Sequence, residues 1–227
     1  MSTLWDTMGP ALWPAFWVTI KLTLISAVGA LIWGTLLAAM AVSPVPIMRG
    51  FASTYVNIVR NTPLTLIVLF CSVGLYQNLG LAMAPEDSDF IVNNNFRLAI
   101  LAFVLYTATF VCETLRSGIN TVPLGQAEAA RSLGMSFPQV LGLVVLPQAM
   151  RTVIAPMGSV LIALTKNTTI ASVIGVAEAS LLMKTELETN GDQIMAIFAI
   201  IAVGFMIITL SEGAVFGWAA KRWAVKR

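Results

Sequence analysis

From Ala15 to Val42 the sequence is apolar, with Lys21 as its only charge. A run of that length crosses about 30 Å of hydrocarbon as a tilted helix, with its backbone hydrogen bonds closed inside the segment. Further segments of this kind fall at about 54–79, 98–116, 151–176 and 193–220. The expectation is an all-α integral membrane protein, a single transmembrane domain of five helices spanning 1–227. Composition agrees, because 58% of the residues are hydrophobic and 11% are charged, against about 25% charged in a soluble domain. The amino end has no basic stretch ahead of its apolar run, so that run reads as a retained span and not as a cleaved signal peptide.

Several function classes are excluded at this level. A net charge of +2, with basic residues scattered between apolar runs, implies no nucleic-acid partner. Cys71 and Cys112 lie inside apolar runs, where a thiol behaves as a small buried hydrophobe and a disulfide is not expected. Two cysteines without a histidine build no metal site. No G-x-x-x-x-G-K-[ST] phosphate loop is present, so the chain has no nucleotide site of its own. Any ATP-derived energy has to come from another polypeptide.

The loops set an orientation. Pro44 and Pro46 mark a turn that carries Arg49. Arg116, Arg131 and Arg151 collect between the third and fourth spans, and Lys221, Arg222, Lys226 and Arg227 close the chain. By the positive-inside rule these regions are cytoplasmic. The amino terminus and two carboxylate-rich loops, 81–97 with Glu86, Asp87 and Asp89, and 177–192 with Glu178, Glu186, Glu188 and Asp192, are then outside. The run Asn93–Asn95 favours loop over helix. Phe137–Leu146 is too short to cross, and reads as a bent or re-entrant approach broken at Pro147 and again at Pro156.

Polar groups inside the spans mark candidate function. Lys21, beside Trp13 and Trp17, is read as a snorkelling interface residue. Arg60, Asn61 and Thr62 precede Pro63, which frees a carbonyl one turn back that lipid cannot satisfy, so this stretch faces protein or water. Glu113 lies at a matching depth and can pair with Arg60 across two helices. Lys166, Asn167, Thr168 and Thr169 fall near the middle of the fourth span, with no acidic partner evident for Lys166. Arg60, Asn61, Thr62, Lys166, Asn167, Thr168 and Thr169 are the candidate substrate path, with a structural Arg60–Glu113 pair, and a Lys166 that snorkels or is paired by a partner subunit, as the other readings. A donor-rich lining of net positive charge suits a substrate bearing a carboxylate or amide.

Between the third and fourth spans the chain reads QAEAARSLGMSFPQVLGLVVLP from Gln126 to Pro147, a polar, helix-favouring stretch flanked by Pro123 and closed by Gly134. The tripeptide Glu128–Ala129–Ala130, then Gly134, then Val144, Leu146 and Pro147 at fixed offsets, resembles the E-A-A-x3-G-x9-I-x-L-P loop of bacterial ABC importer permeases. TIKLTLIS from Thr19, RNTPLTL from Arg60, YTATFVCETLRSGI from Tyr106 and KNTTIASVIGVAEA from Lys166 are similar to segments of the polar amino acid importer permeases. Cys112 departs mildly from that pattern, standing where a small residue is usual. The whole is most similar to the glutamate-uptake branch found in coryneform bacteria, in its shorter permease subunit.

That resemblance implies a type I ABC importer permease in a bacterial plasma membrane. It implies as partners an ABC ATPase dimer that binds the ATP, a second permease subunit and an extracellular solute-binding protein, with no cofactor on this chain. It also implies that the coupling loop, about 123–147, carries a helix in which Glu128, Ala129, Ala130 and Gly134 engage the ATPase. Glutamate is the implied substrate, with aspartate and glutamine its nearest competitors. Two other readings remain at this stage, an ion-coupled secondary transporter and a non-transporting scaffold. The first calls for titratable relays, and the sequence offers no histidine and one convincing intramembrane carboxylate, Glu113.

Overall fold

The computed structural model describes residues 2–86 and 88–223. Asp87 of the first acidic loop, and Lys226 and Arg227 of the basic tail, lie outside the described residues. Among those described, every regular element is helical. α1 (Ser2–Ala41) turns into α2 (Pro46–Arg60), followed by α3 (Leu64–Leu69), which widens into a π-helix over Phe70–Asn78. α4 (Phe90–Asn120) precedes the short α5 (Leu124–Ser132). α6 (Phe137–Gln139), a π-helical stretch (Val140–Val145), α7 (Leu146–Asn167) and a 3-10 segment (Thr168–Ile174) follow one another directly. α8 (Ala179–Thr189) and α9 (Ile194–Trp223) complete the bundle.

Four stretches among the described residues are long and apolar enough to cross a membrane, Met8–Ala41, Phe90–Asn120, Phe137–Ile174 and Gly191–Trp223. α2 with α3 and its extension is bent by 103° and makes the fifth when taken as one broken span. Lipid gives apolar helices no reason to leave it for one another, so they associate through close packing. α1 and α4 run parallel, and at Gly34 they approach so closely that a Cβ would come within 2.5 Å of Val111. α7 runs back along α4, with Gly118 against Val153, and α9 along α7, with Gly158 against Phe216. Phe16 and Phe205 close α9 onto α1 edge to face at 5.6 Å.

Two buried clusters fill the bundle. One, with Leu22, Leu98, Phe103 and Leu164, lies toward the end where α4 begins. The other, with Leu37, Val111, Leu115 and Val153, lies toward the end where α1 and α4 finish. The latter is a basic end, bearing Arg49, Arg116 and Arg131, whereas Glu86, Asp89 and Glu178 belong to the opposite, acidic end.

The element boundaries depart from expectation in five places, each for a tertiary reason. α1 starts well before residue 15, because Met8 is fully buried against Ile197, Ile201 and Ala179. The second span, expected over 54–79 with an interruption at Arg60–Pro63, begins earlier, at Pro46, and turns by 103° at Asn61–Pro63. There Thr62 N–H takes the Val59 carbonyl that Pro63 cannot reach, and Asn61 Nδ2 and Thr62 Oγ1 bond the carbonyls of Asn57 and Ile58 at 2.7 and 2.8 Å. α4 includes Asn93–Asn95, since Asn94 is buried and accepts Met83 N–H at 2.7 Å while Asn95 donates to the Ile174 carbonyl at 2.7 Å. The fourth span is no re-entrant loop. Its helix continues from Phe137 to Ile174, with the widened π-helical turn over Val140–Val145 accommodating Pro147 and with Pro156 inside α7. Residues 177–192 hold α8 where a loop was expected, as Glu178 caps it and Leu182, Met183 and Leu187 pack onto α1 and α9.

Candidate functional site

α5 begins just after Pro123, whose ring fixes φ at −58°, and continues through the helix-favouring Ala127, Ala129 and Ala130. It ends at Gly134, where φ is +83°. A Cβ there would meet nothing within 4 Å, so the backbone conformation and not lack of room demands glycine. Gly134 and Met135 N–H groups satisfy the carbonyls of Arg131 and Ala130 at 2.9 and 3.2 Å. Ser136 N–H and Oγ then donate to Gln139 Oε1 at 2.8 and 2.9 Å and start the next helix at once.

Ala130 is buried against Val140 and Val145, and Gln148 Nε2 donates to Gln126 Oε1 at 2.5 Å and to the Val144 carbonyl at 2.9 Å. α5 is thereby fixed to the foot of α7. Glu128 and Ala129 are exposed, as are Leu124 and Leu133 at 80% and 84%. One face of a short helix is locked to a membrane span, and the other is bare.

The polar residues of the spans form two groups. Arg60 Nη1 meets Glu113 Oε1 from α2 to α4, the ion pair found among the described residues. Both side chains remain about two-fifths exposed, at 40% and 39%. Asn61 and Thr62 are spent on their own helix, as described for the bend. In the second group, Thr168 Oγ1 and Thr169 Oγ1 donate to the carbonyls of Thr165 and Lys166 at 2.7 and 2.9 Å, where α-helix tightens to 3-10. Lys166 is exposed, with no carboxylate partner among the described residues. Asn167 lines a recess of about 300 Å³ with Tyr106, Thr107, Phe110 and Ser159. No hydrogen bond joins the Arg60 group to the Lys166 group among the described residues. They are linked through packing, Leu64 and Val68 of α3 sharing a core with Ala171 and Ile174. Lys21 places Nζ 5.7 Å from the Phe96 ring centroid, while Trp13 and Trp17 stack outside it at 6.2 Å.

Two carboxylates were undervalued from sequence. Glu212 on α9 accepts Thr165 Oγ1 at 2.6 Å, and its Oε2 is buried without a partner among the described residues. Among the described residues Glu212 joins Glu113 as a carboxylate within the spans, and a lone charge within the apolar run 193–220 was the signal. Glu178 is fully buried and accepts the N–H groups of Ser180 and Leu181 at 2.7 and 3.0 Å. Burial raises its carboxyl to about 7, against the lowering pull of those two donors and of Lys184.

An all-helical membrane bundle with a short helix fastened beneath it defines a class of transport subunit. The chain belongs to the family described as binding-protein-dependent transport system inner membrane component, which it matches over residues 30–225. It is a multi-pass permease of the ABC importer class with the type I fold. It is 63% identical to the glutamate transport system permease protein GluC of Corynebacterium glutamicum, over all of both chains. Its identity to the protein of the same description in Corynebacterium efficiens is 61%, again over all of both chains. A crystal structure of an amino acid ABC transporter with histidines superposes with a TM-score of 0.81 at 27% identity, covering 94% of each chain.

Proposed function

We propose that this chain is one permease subunit of an ATP-driven glutamate importer. A partner ABC ATPase dimer binds and hydrolyses the ATP, a second permease subunit completes the path, and an extracellular binding protein delivers the amino acid. The observation that carries this reading is α5, bare on one face and locked to α7 on the other through Ala130 and the left-handed turn at Gly134. A push on Glu128 and Ala129 is transmitted to α7 without loss in a flexible linker. The charge distribution supports an outside amino terminus and a cytoplasmic α5.

The names of the corynebacterial relatives support glutamate. In this reading Arg60, Asn61, Thr62, Lys166, Asn167 and Thr169 line the path, while Thr168, fully buried and bonded to the Thr165 carbonyl, stands behind it. Lys166, exposed and unpaired by any carboxylate among the described residues, meets the substrate's side-chain carboxylate. The test is uptake of labelled glutamate, glutamine and arginine by the chain reconstituted with its ATPase, second permease and binding protein. ATP-dependent glutamate uptake is expected, weakened in Lys166→Met. Uptake driven by an ion gradient without ATP defeats the importer reading, and preferential arginine uptake defeats the proposed substrate.

A further inference from the structure

At the basic end, the turn after α1, the end of α4, α5 and the π-helical stretch before α7 enclose a recess of about 430 Å³. Arg49, Arg116 and Arg131 enter it from three different elements, and no carboxylate lines it. Arg49 uses Nη1 on the carbonyls of Ser43 and Pro44, at 2.9 and 3.0 Å. None of the three has a carboxylate partner among the described residues. Three guanidiniums gathered without a counter-charge repel one another, and their planar forks match the paired oxygens of a phosphate.

Apart from Ser43 and Asn120 the other walls of the recess are apolar, and two of their residues, Ile119 and Leu141, also line a second groove of about 400 Å³. That groove runs between α1, α4, α7 and α9, walled by aliphatic side chains with Phe216 and Trp223. It reaches Leu31, which at 1.5 Å per residue lies about 15 Å along α1 from Ala41, a residue of the recess. An arginine-ringed recess where the helices leave the membrane adjoins an apolar slot along the membrane-embedded flank. This is the two-part chemistry of a phospholipid.

We propose that recess and groove together bind an anionic phospholipid of the leaflet at the basic end. Its phosphate sits on Arg49, Arg116 and Arg131 and one acyl chain lies in the groove. A zwitterionic headgroup brings its own ammonium among the guanidiniums and binds less well. Free phosphate and the acidic surface of a docked ATPase share the anionic chemistry, but neither has a chain to fill the groove. Because Ala127 and Arg131 of α5 border the recess, the bound lipid braces the helix proposed to receive the ATPase. The proposal rests on the inward orientation of α5 only for which leaflet supplies the lipid, and binding is measured without transport.

The experiment titrates the full chain in detergent with phosphatidylglycerol and phosphatidylcholine of matched acyl chains, reading bound lipid by native mass spectrometry. Wild type prefers phosphatidylglycerol. Each of Arg49→Gln, Arg116→Gln and Arg131→Gln lowers that preference about fivefold, and the triple variant about a hundredfold. The triple lysine variant keeps most of the preference and shows that loss of charge, not misfolding, is being read. Ala39→Trp, which fills the groove, weakens both lipids while leaving their ratio. No preference in wild type, or a preference unchanged in the triple glutamine variant, overturns the proposal. So does displacement of phosphatidylglycerol by equimolar inorganic phosphate, or its complete release when the ATPase binds.

Discussion

Pro63 and Pro147 both interrupt apolar sequence, yet the chain bends by 103° around the first and continues as helix through the second. The difference lies in what surrounds each ring. Before Pro63 stand Asn61 and Thr62, whose side chains take carbonyls of α2 and make an exposed, polar corner affordable. Before Pro147 stand Val144, Val145 and Leu146, the widened π-helical turn accommodates the ring, and Gln148 Nε2 bonds the Val144 carbonyl within the same helix at 2.9 Å. A proline alone does not break a membrane helix. At Pro63 the polar side chains that precede it allow the chain to leave the helix at an exposed corner. The first region becomes a corner carrying Arg60, and the second a continuous rod from the foot of α7, where α5 is attached, to the middle of the bundle.

If the rod transmits force, disturbing its attachment has the largest effect. Gly134→Val places a β-branched residue at φ +83°, which costs about 1–3 kcal/mol and reshapes the turn that sets the angle of α5. ATP-driven uptake is expected to fall at least about tenfold while the protein stays in the membrane, and Glu128→Lys to act similarly through the docking surface. Normal uptake at wild-type expression would remove α5 from the mechanism.

At the corner, the smaller effect is on folding. Arg60→Met or Glu113→Leu leaves one charge unmatched at membrane depth, so each lowers the yield of folded protein in detergent severalfold. The double variant recovers it. Equal losses in singles and double would mean that the ion pair adds nothing to the corner.

The smallest effect lies outside both regions, at Glu178. Its carboxyl titrates at about 7 in the fold against an ordinary value near 4.5, so the folded state holds its proton more tightly than the unfolded one. The stabilisation is fully present below pH 4.5 and is lost as pH rises through about 7. Thermal unfolding in detergent should therefore come several degrees earlier at pH 8 than at pH 5.5, and Glu178→Gln should flatten that dependence. A wild-type profile that rises over the same interval contradicts the assignment.

The long apolar runs were legible because lipid leaves helices few alternatives, and α5 was legible because Pro123, the alanines and Gly134 act locally. Asn93–Asn95 misled for the opposite reason. Asparagine competes with its own backbone in isolation, but here the bonds of Asn94 and Asn95 go to Met83 and Ile174, the latter far along the sequence. α8 was hidden because its cap, Glu178, looked like one more acid in a charged loop. The bend at Pro63 was half visible, in that its polar cluster was apparent but not that the cluster would satisfy itself. Glu212 needed no structure to find, only equal attention to every charge in an apolar run.

The most direct test of the account is the side of the membrane on which α5 lies. In a background lacking Cys71 and Cys112, single cysteines at the exposed positions Ser88, Thr189 and Ser132 are treated in intact cells with an impermeant thiol reagent. The account predicts labelling at Ser88 and Thr189 and none at Ser132, which reacts only in inverted vesicles and is shielded there by the bound ATPase. Labelling of Ser132 from outside would contradict it.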